Sequence, residues 1–249
     1  MNIIVCIKRV PASDSRVQIG PDGRSLNPQG VETVLNTYDE FAIEAALQLK
    51  EKLGGETTAV TLDPDGNESI LRNKVLPLGI DKAVLIKGGS AFDGAANAEI
   101  LASVLKTMPH DLILFGKQAI DSDSYAVPAY VAHHLGLPRV NVVTKLDVVE
   151  KSIVARRQIE GGEEVVQLAM PCIVSTQKGL NTPRLPKMQN IAAAKKKTIE
   201  VRAAPSVAAR IDILKMELPP ERPAARIVGQ GTSAVKELVR LLREEAKVL

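Results

Sequence analysis

The chain has 249 residues, 45% of them hydrophobic, a formal net charge of +3 and a mean hydropathy near zero. It is long enough to bury a full core in one or two domains, and this composition sets aside disordered and membrane-embedded classes. Aromatics are 2% of the chain with no Trp, too few for the stacking platforms of a single-strand nucleic-acid binder.

In chain order, the opening Met-Asn-Ile-Ile-Val-Cys-Ile-Lys-Arg reads as a first strand over Ile3–Ile7. Its charges follow the apolar run, the reverse of a signal peptide, and no run approaches the ~20 apolar residues of a spanning helix. The expectation is a prokaryotic-type cytoplasmic protein with no membrane insertion. Strand-like runs recur at Thr58–Leu62, Ala83–Ile86 and Leu112–Phe115. Between them lie helix-like runs at Asn36–Leu53, Asn67–Leu76, Asp93–Met108 and Ser124–Leu135. Within the first helix Phe41, Ala45, Leu49 and Leu53 recur at fourfold spacing, with Glu40, Glu44 and Glu51 assigned to a wet face. Gly54 and Gly136 stop the first and last of these helices. Alternating βα units predict a doubly wound, mainly parallel α/β sheet with helices on both sides.

After Pro138 the chain turns to Val- and Ile-rich strands: Arg139–Val149, Ser152–Gln158, Glu163–Ala169 and Cys172–Ser175, with a hairpin turn at Glu160-Gly161-Gly162. These are expected to extend the domain as antiparallel strands. From Thr176 the chain reads as one long irregular loop, of the length that is commonly functional. Residues 178–202 carry seven Lys or Arg against one acid, Glu200. Residues 203–232 are Pro- and Ala-rich, like an extended arm, and a terminal helix is expected from about Ser233 to Val248. The division expected is therefore a nucleotide-binding domain over 1–202 and an arm plus helix over 203–249.

Residues 111–135 carry the most chemistry. The apolar strand Leu112–Phe115 runs into Gly116, a polar loop, and a helix predicted to open near Ser124 with Pro128 in its first turn, where Pro is tolerated. A strand, a tight loop and a helix N-terminus form an anion site at the carboxyl edge of a parallel sheet. Backbone N–H groups from Ser124 to Val127 and the Ser124 hydroxyl would hold a phosphate there; an ordinary βα turn is the alternative. Asp121 and Asp123 suit a ribose contact, a helix cap or a cation, with capping the commonest role.

No nucleophile and base can be assembled. There is no Gly-x-Ser-x-Gly elbow and no Walker A sequence. Cys6 and Cys172 lack partners at metal or redox spacing and read as structural thiols. His133 and His134 are adjacent, so they cannot form an i, i+4 metal pair. The residues describe a nucleotide-holding, partner-binding scaffold. A stand-alone adenine-nucleotide protein or a pure interaction protein stays open at this level.

Several segments resemble the electron transfer flavoprotein β subunit. Gly116-Lys-Gln-Ala-Ile-Asp-Ser-Asp123 is similar to that family's nucleotide loop. Val154-Ala-Arg-Arg-Gln-Ile-Glu-Gly-Gly-Glu-Glu-Val-Val-Gln-Leu-Ala-Met-Pro-Cys-Ile-Val-Ser175 is similar to its signature. Leu180-Asn-Thr-Pro-Arg-Leu-Pro186, then Asn190-Ile191 and Ala194-Lys-Lys-Lys-Thr-Ile-Glu-Val201, resemble its recognition loop. Val5-Cys-Ile-Lys-Arg-Val10 and Pro219-Pro-Glu-Arg222 fit as well, so the resemblance spans essentially the whole chain.

The resemblance implies an adenine-nucleotide α-hydrolase-like fold and a heterodimer with an α subunit that holds most of an FAD. Electrons would pass from flavin dehydrogenases to a quinone reductase or another acceptor. The β-subunit nucleotide would be AMP, or a second FAD in an electron-bifurcating member. The nucleotide site carried over comprises Cys6, Asn36, Thr37, Tyr38, Asp39, Leu62, Gly116, Lys117, Gln118, Ala119, Ile120, Asp121, Ser122, Asp123, Ser124, Tyr125, Ala126 and Val127, with Tyr38 placed towards the α-bound flavin. Partner docking would fall to a loop at about 176–197 through Leu180, Pro183 and Arg184, with Leu180 as an exposed apolar anchor. The chain departs from the family pattern after Asp123, where Ser-Tyr-Ala-Val-Pro replaces the amide-rich run of ordinary members. Ser13 also replaces a tyrosine found in many of them.

Overall fold

The computed structural model describes residues 1–90, 92–221 and 224–249; Arg222 of the Pro219-Pro220-Glu221-Arg222 motif lies outside them. Eleven strands and five helices can be followed along these residues. They are β1 (Asn2–Ile7), β2 (Arg9–Pro11), β3 (Thr33–Leu35), α1 (Thr37–Leu53), β4 (Glu56–Asp63), β5 (Lys82–Lys87), α2 (Gly94–Leu105), β6 (Leu112–Gly116) and α3 (Val127–Leu135). Then follow β7 (Arg139–Val149), β8 (Ser152–Ile159), β9 (Gly162–Ala169), β10 (Cys172–Thr176), α4 (Met188–Ala194), β11 (Ile199–Ala203) and α5 (Val235–Glu244). The helix expected over Asn67–Leu76 is a wide π turn at Leu71–Val75 running into a tighter 3-10 turn at Leu76–Leu78.

The main sheet has the strand order β11-β5-β4-β1-β6-β10-β7-β8-β9. From β11 through β7 all neighbours are parallel, and β7, β8 and β9 form the antiparallel extension. The doubly wound α/β expectation therefore holds. Cys172–Ser175, however, belongs to the parallel part: β10 lies between β6 and β7 and is parallel to both. An extra residue in β7 near Val142, whose φ is 63°, breaks its register on β10. Such a bulge increases local twist, and here it lies where β7 leaves the parallel sheet for its antiparallel partner β8.

The centre of the sheet is covered on both faces because its strands are apolar at successive positions. On β1, Ile3, Val5 and Ile7 join Ala42, Ile43, Ala46 and Leu47 of α1 in one cluster. Ile4 and Cys6 point the other way and join Ala98, Leu101, Ala102 and Leu105 of α2 and Val131 of α3. The same alternation divides Leu112 and Leu114 from Ile113 and Phe115 on β6. Each Ile, Leu or Val fully buried in this way contributes roughly 1.5–3 kcal/mol. Strand order reverses between β1 and β6, so a crevice opens there at the carboxyl edge of the sheet, where open α/β sheets bind ligands.

Beyond β11 the chain runs without regular structure over its described residues until a short turn at Thr232–Ala234. Helix α5 follows, shorter than expected, with no buried residue.

Candidate functional site

The crevice is a cleft of about 290 Å³, near the lower end of the ~300–1,000 Å³ typical of small-molecule sites. Its back wall is the end of β1 (Cys6, Ile7, Lys8) and of β6 (Phe115, Gly116), with Asn36 and Asp39 from the start of α1. Leu62 comes from β4, and one side is closed by Gln118, Ala119, Ser122 and Ser124 to Pro128.

Buried Asn36 and Asp39 hold this wall together. Asp39 Oδ2 accepts the Lys8 N–H at 2.7 Å, and Oδ1 accepts the Gly116 N–H at 3.1 Å and the Asn36 amide at 2.9 Å. Asn36 Nδ2 also donates to the Gln118 carbonyl at 2.9 Å, and its Oδ1 accepts the Ile120 N–H at 3.1 Å. Two side chains thus fix the ends of β1 and β6 and the first turn of the loop. Burial pushes the Asp39 carboxyl up to about 7 against the pull of these donors. Gly116 is required for close approach: a Cβ there would lie 2.4 Å from Asp39 Oδ1 and 2.7 Å from the Tyr38 carbonyl carbon. Burial, then the Asp39 charge, raises the Cys6 thiol, so it stays protonated and non-nucleophilic. Burial takes Cys172 up to about 11.

The loop beyond Gly116 differs from expectation at one point. Helix α3 opens at Val127, with Ala126 before it and no side-chain cap. Asp123 and Tyr125 both have left-handed backbones, at φ 47° and 55°, and this interrupts any helix begun at Ser124. Neither aspartate caps the helix. Asp121 pairs with Lys8 at 2.7 Å, and Asp123 accepts the Gln118 amide. The N–H groups of Ser124, Tyr125, Ala126 and Val127 have no hydrogen-bond acceptor among the described residues. Successive N–H groups beside left-handed residues form an anion-binding concavity, a nest. Because Gln118 Nε2 is engaged by Asp123, its Oε1 is left as a buried acceptor without a partner, suited to a ligand's amino or hydroxyl group.

Of the residues singled out from sequence, Cys6, Asn36, Asp39, Leu62, Gly116, Gln118, Ala119, Ser122, Ser124, Tyr125, Ala126 and Val127 line the cleft. Thr37, Tyr38, Lys117, Ile120, Asp121 and Asp123 stand behind or beside it. Lys117 lies over the rings of Tyr38 and Tyr125, at 4.6 and 5.3 Å from their centroids. The opposite wall was missed: Phe92, Gly94, Ala95, Asn97 and Leu101 around α2, Tyr130 of α3, and Ile211 of the arm. One signal was available. Phe92, Phe115, Tyr125 and Tyr130 line the cleft, four of only six aromatics in the chain.

The basic segment also departs from expectation, since it holds α4 and the edge strand β11. Leu180 is half-buried against the core on the α1 side, not an exposed anchor. Arg184 is engaged within the chain, its Nε 2.7 Å from Glu44 Oε2 and its Nη1 2.5 Å from Glu51 Oε1. Glu44 is therefore buried, not on a wet face. The most exposed large apolar side chains of this segment are Leu185 and Met188, 87% and 82% exposed.

Among the described residues no group of His, Cys, Asp and Glu is arranged to hold a metal ion. No helix among the described residues is long and apolar enough to cross a membrane.

Residues 24–207 match the family model for the electron transfer flavoprotein domain. The electron transfer flavoprotein subunit beta of Bacillus subtilis is 35% identical over 260 residues, covering 100% of both chains. That of Syntrophomonas wolfei is 32% identical over 250 residues, covering 100% of this chain and 98% of its own. Protein FixA of Azotobacter vinelandii is 34% identical over 226 residues, 87% of this chain and 79% of its own. A family match over most of the chain and full-length similarity to β subunits place it together: the chain belongs to the electron transfer flavoprotein family, on its β-subunit side.

Proposed function

We propose that this chain is the β subunit of a heterodimeric electron transfer flavoprotein and binds AMP in the cleft between β1 and β6. An α subunit would hold most of the FAD. Electrons would be received from flavin dehydrogenases and passed to a quinone reductase or another acceptor. The observation that carries the nucleotide reading is the run of unengaged N–H groups from Ser124 to Val127 at the carboxyl edge of the sheet. A phosphate suits these donors. The orphan Gln118 Oε1 suits an amino or hydroxyl donor of the same ligand, and Phe92, Tyr125 and Tyr130 supply flat apolar surface.

A bound flavin would supply the electron-carrying chemistry. The residues of this chain would bind and orient: Asn36 and Asp39 keep the loop in register, and Cys6, protonated, adds no competing thiolate. Leu185 and Met188, beside Lys187, form an exposed apolar tip with positive charge around it. This tip, in place of Leu180, is the surface proposed to meet a dehydrogenase. Basic residues beside it would speed encounter with acidic partners more than they would tighten the complex. The arm and α5 are proposed to dock on the α subunit.

A second reading replaces AMP with a second FAD and makes the protein an electron-bifurcating member. The aromatic mouth of the cleft favours it, because an isoalloxazine stacks on such rings; the cleft volume favours the mononucleotide. Co-purification with the α subunit and a count of released ligands tests both readings. One FAD and one AMP per heterodimer is expected. Two FAD would reassign the 116–127 loop as a redox site, and no flavin at all would overturn the proposal.

A further inference from the structure

The cleft has a wall that the sheet domain does not supply, and one buried carboxylate holds it there. Asp93, 2% exposed, precedes α2. Its Oδ1 accepts the Ala96 N–H at 2.9 Å, an ordinary N-cap. Its Oδ2 accepts two further backbone N–H groups, from Arg210 at 2.5 Å and Ile211 at 3.2 Å. Capping needs only one oxygen, so the second is committed to the arm. These donors outweigh the burial that opposes ionisation, and the carboxyl is held below its usual range, as a charge-assisted latch requires. Beside the latch, the side chain of Ile211 faces the cleft, although it is 54% exposed.

The rest of this stretch has its own ties. Ala204 N–H continues the β11 pairing to the Lys87 carbonyl at 2.9 Å, and Val207 packs on the α2–α3 side of the core. Met216 N–H reaches the Gly23 carbonyl at 2.8 Å, and Arg210 pairs with Glu99 of α2 at 3.1 Å. The chain thus passes along the open side of the cleft, tied at both ends and pinned between them by Asp93.

We infer that Asp93 is a positioning residue that holds the arm as one wall of the nucleotide cleft, so that nucleotide retention and arm position are coupled. This rests on the nucleotide reading above. A ligand in contact with Ile211 favours the latched arm, and the latched arm retains the ligand; such coupling is reciprocal. If the arm also docks on the α subunit, nucleotide occupancy is sensed where the two subunits meet.

The test uses the full heterodimer and AMP as the probe. Asp93→Ser keeps an N-cap side chain for α2 but is too short to reach the arm, and Ile211→Ala removes the wall while leaving the latch. Exchange of bound labelled AMP against excess unlabelled AMP is followed for each, with amide hydrogen exchange read over residues 208–212. Asp93→Ser should release AMP about tenfold faster, the lower end of the effect of a charge-assisted hydrogen bond, and Ile211→Ala about fivefold faster through lost apolar contact. In the unaltered protein, removal of AMP should raise amide exchange in the same stretch. Faster amide exchange in Asp93→Ser with unchanged AMP release in both variants would overturn the coupling alone. An unaltered heterodimer that binds no AMP would sink the coupling and the AMP reading together.

Discussion

Arg184→Met tests what holds the basic loop in place. The guanidinium meets Glu44 through Nε at 2.7 Å and Nη2 at 3.0 Å, and Glu51 through Nη1 at 2.5 Å and Nη2 at 3.0 Å. Glu51 is largely exposed, and a rim pair of that kind contributes about 0–1 kcal/mol. Glu44 is different, because its side chain is 5% exposed and, without the arginine, only the Gln48 amide at 2.7 Å remains as a side-chain donor. Breaking a fully buried pair costs about 3–5 kcal/mol. With Arg184 itself 27% exposed, roughly half of that, about 2 kcal/mol, is expected. The double variant Arg184→Met with Glu44→Gln leaves no unpaired buried charge and should recover most of the loss. Urea unfolding of the three proteins is the assay, with the midpoint shifting at constant slope. Equal stability of the single and double variants would refute the reasoning, since the cost would not then come from stranding Glu44.

Leu180→Ala should destabilise by about 1–2 kcal/mol through lost core packing. Leu185→Ser with Met188→Ser should leave stability within ~0.5 kcal/mol and slow electron uptake from a dehydrogenase in stopped-flow; unchanged uptake would remove the exposed tip from the docking surface. For Asp39, burial raises the folded value to about 7, above an unfolded value near 3.9. The stabilisation linked to its protonation is full below about pH 4 and is lost as pH rises through 7. Unfolding free energies at pH 5 and pH 8 should therefore fall more for the unaltered chain than for Asp39→Asn, and parallel slopes would argue against a buried titrating carboxyl. Gly116→Ala drives a Cβ onto Asp39 and the Tyr38 carbonyl carbon. It should cost about 1–3 kcal/mol and reduce AMP content on purification; full AMP content would show that the wall adjusts.

What was legible in the sequence follows from where each signal originates. The βα alternation and the cleft loop were readable because β1 is apolar from Ile3 to Ile7 and β6 from Leu112 to Phe115, and Gly116 marks the close turn. Strand β11 was hidden because it is an edge strand: Ile199 is buried, but Glu200, Val201 and Ala203 are exposed. Its period is therefore faint within a Lys-rich stretch. Glu44 was misplaced because its burial depends on Arg184, 140 residues away, and no periodicity within α1 reports such a partner. The late start of α3 has a similar origin. Asp and Ser resemble caps in sequence, but Asp121 and Asp123 are taken by Lys8 and Gln118. The far wall of the cleft was missed because Phe92 and Ile211 come from segments that meet only in the folded chain.

The C-terminal region raises a different physical question, which bears on the proposed heterodimer. An isolated helix of ten residues is marginal in water, yet α5 is formed with no residue buried. Arg240 pairs with Glu237 and Glu244 along it, but exposed pairs at such spacing contribute only about 0.2–0.5 kcal/mol each. Val235, Leu238 and Val239 are meanwhile left in water. Local interactions therefore do not account for the helix, and the sheet domain does not cover it. A helix with this apolar side is best stabilised by a surface outside the chain, which is the place given above to the α subunit. The Asp93 latch then gains significance: it fixes the arm where the arm leaves the cleft, so less of its freedom would remain to be lost in the proposed docking of α5.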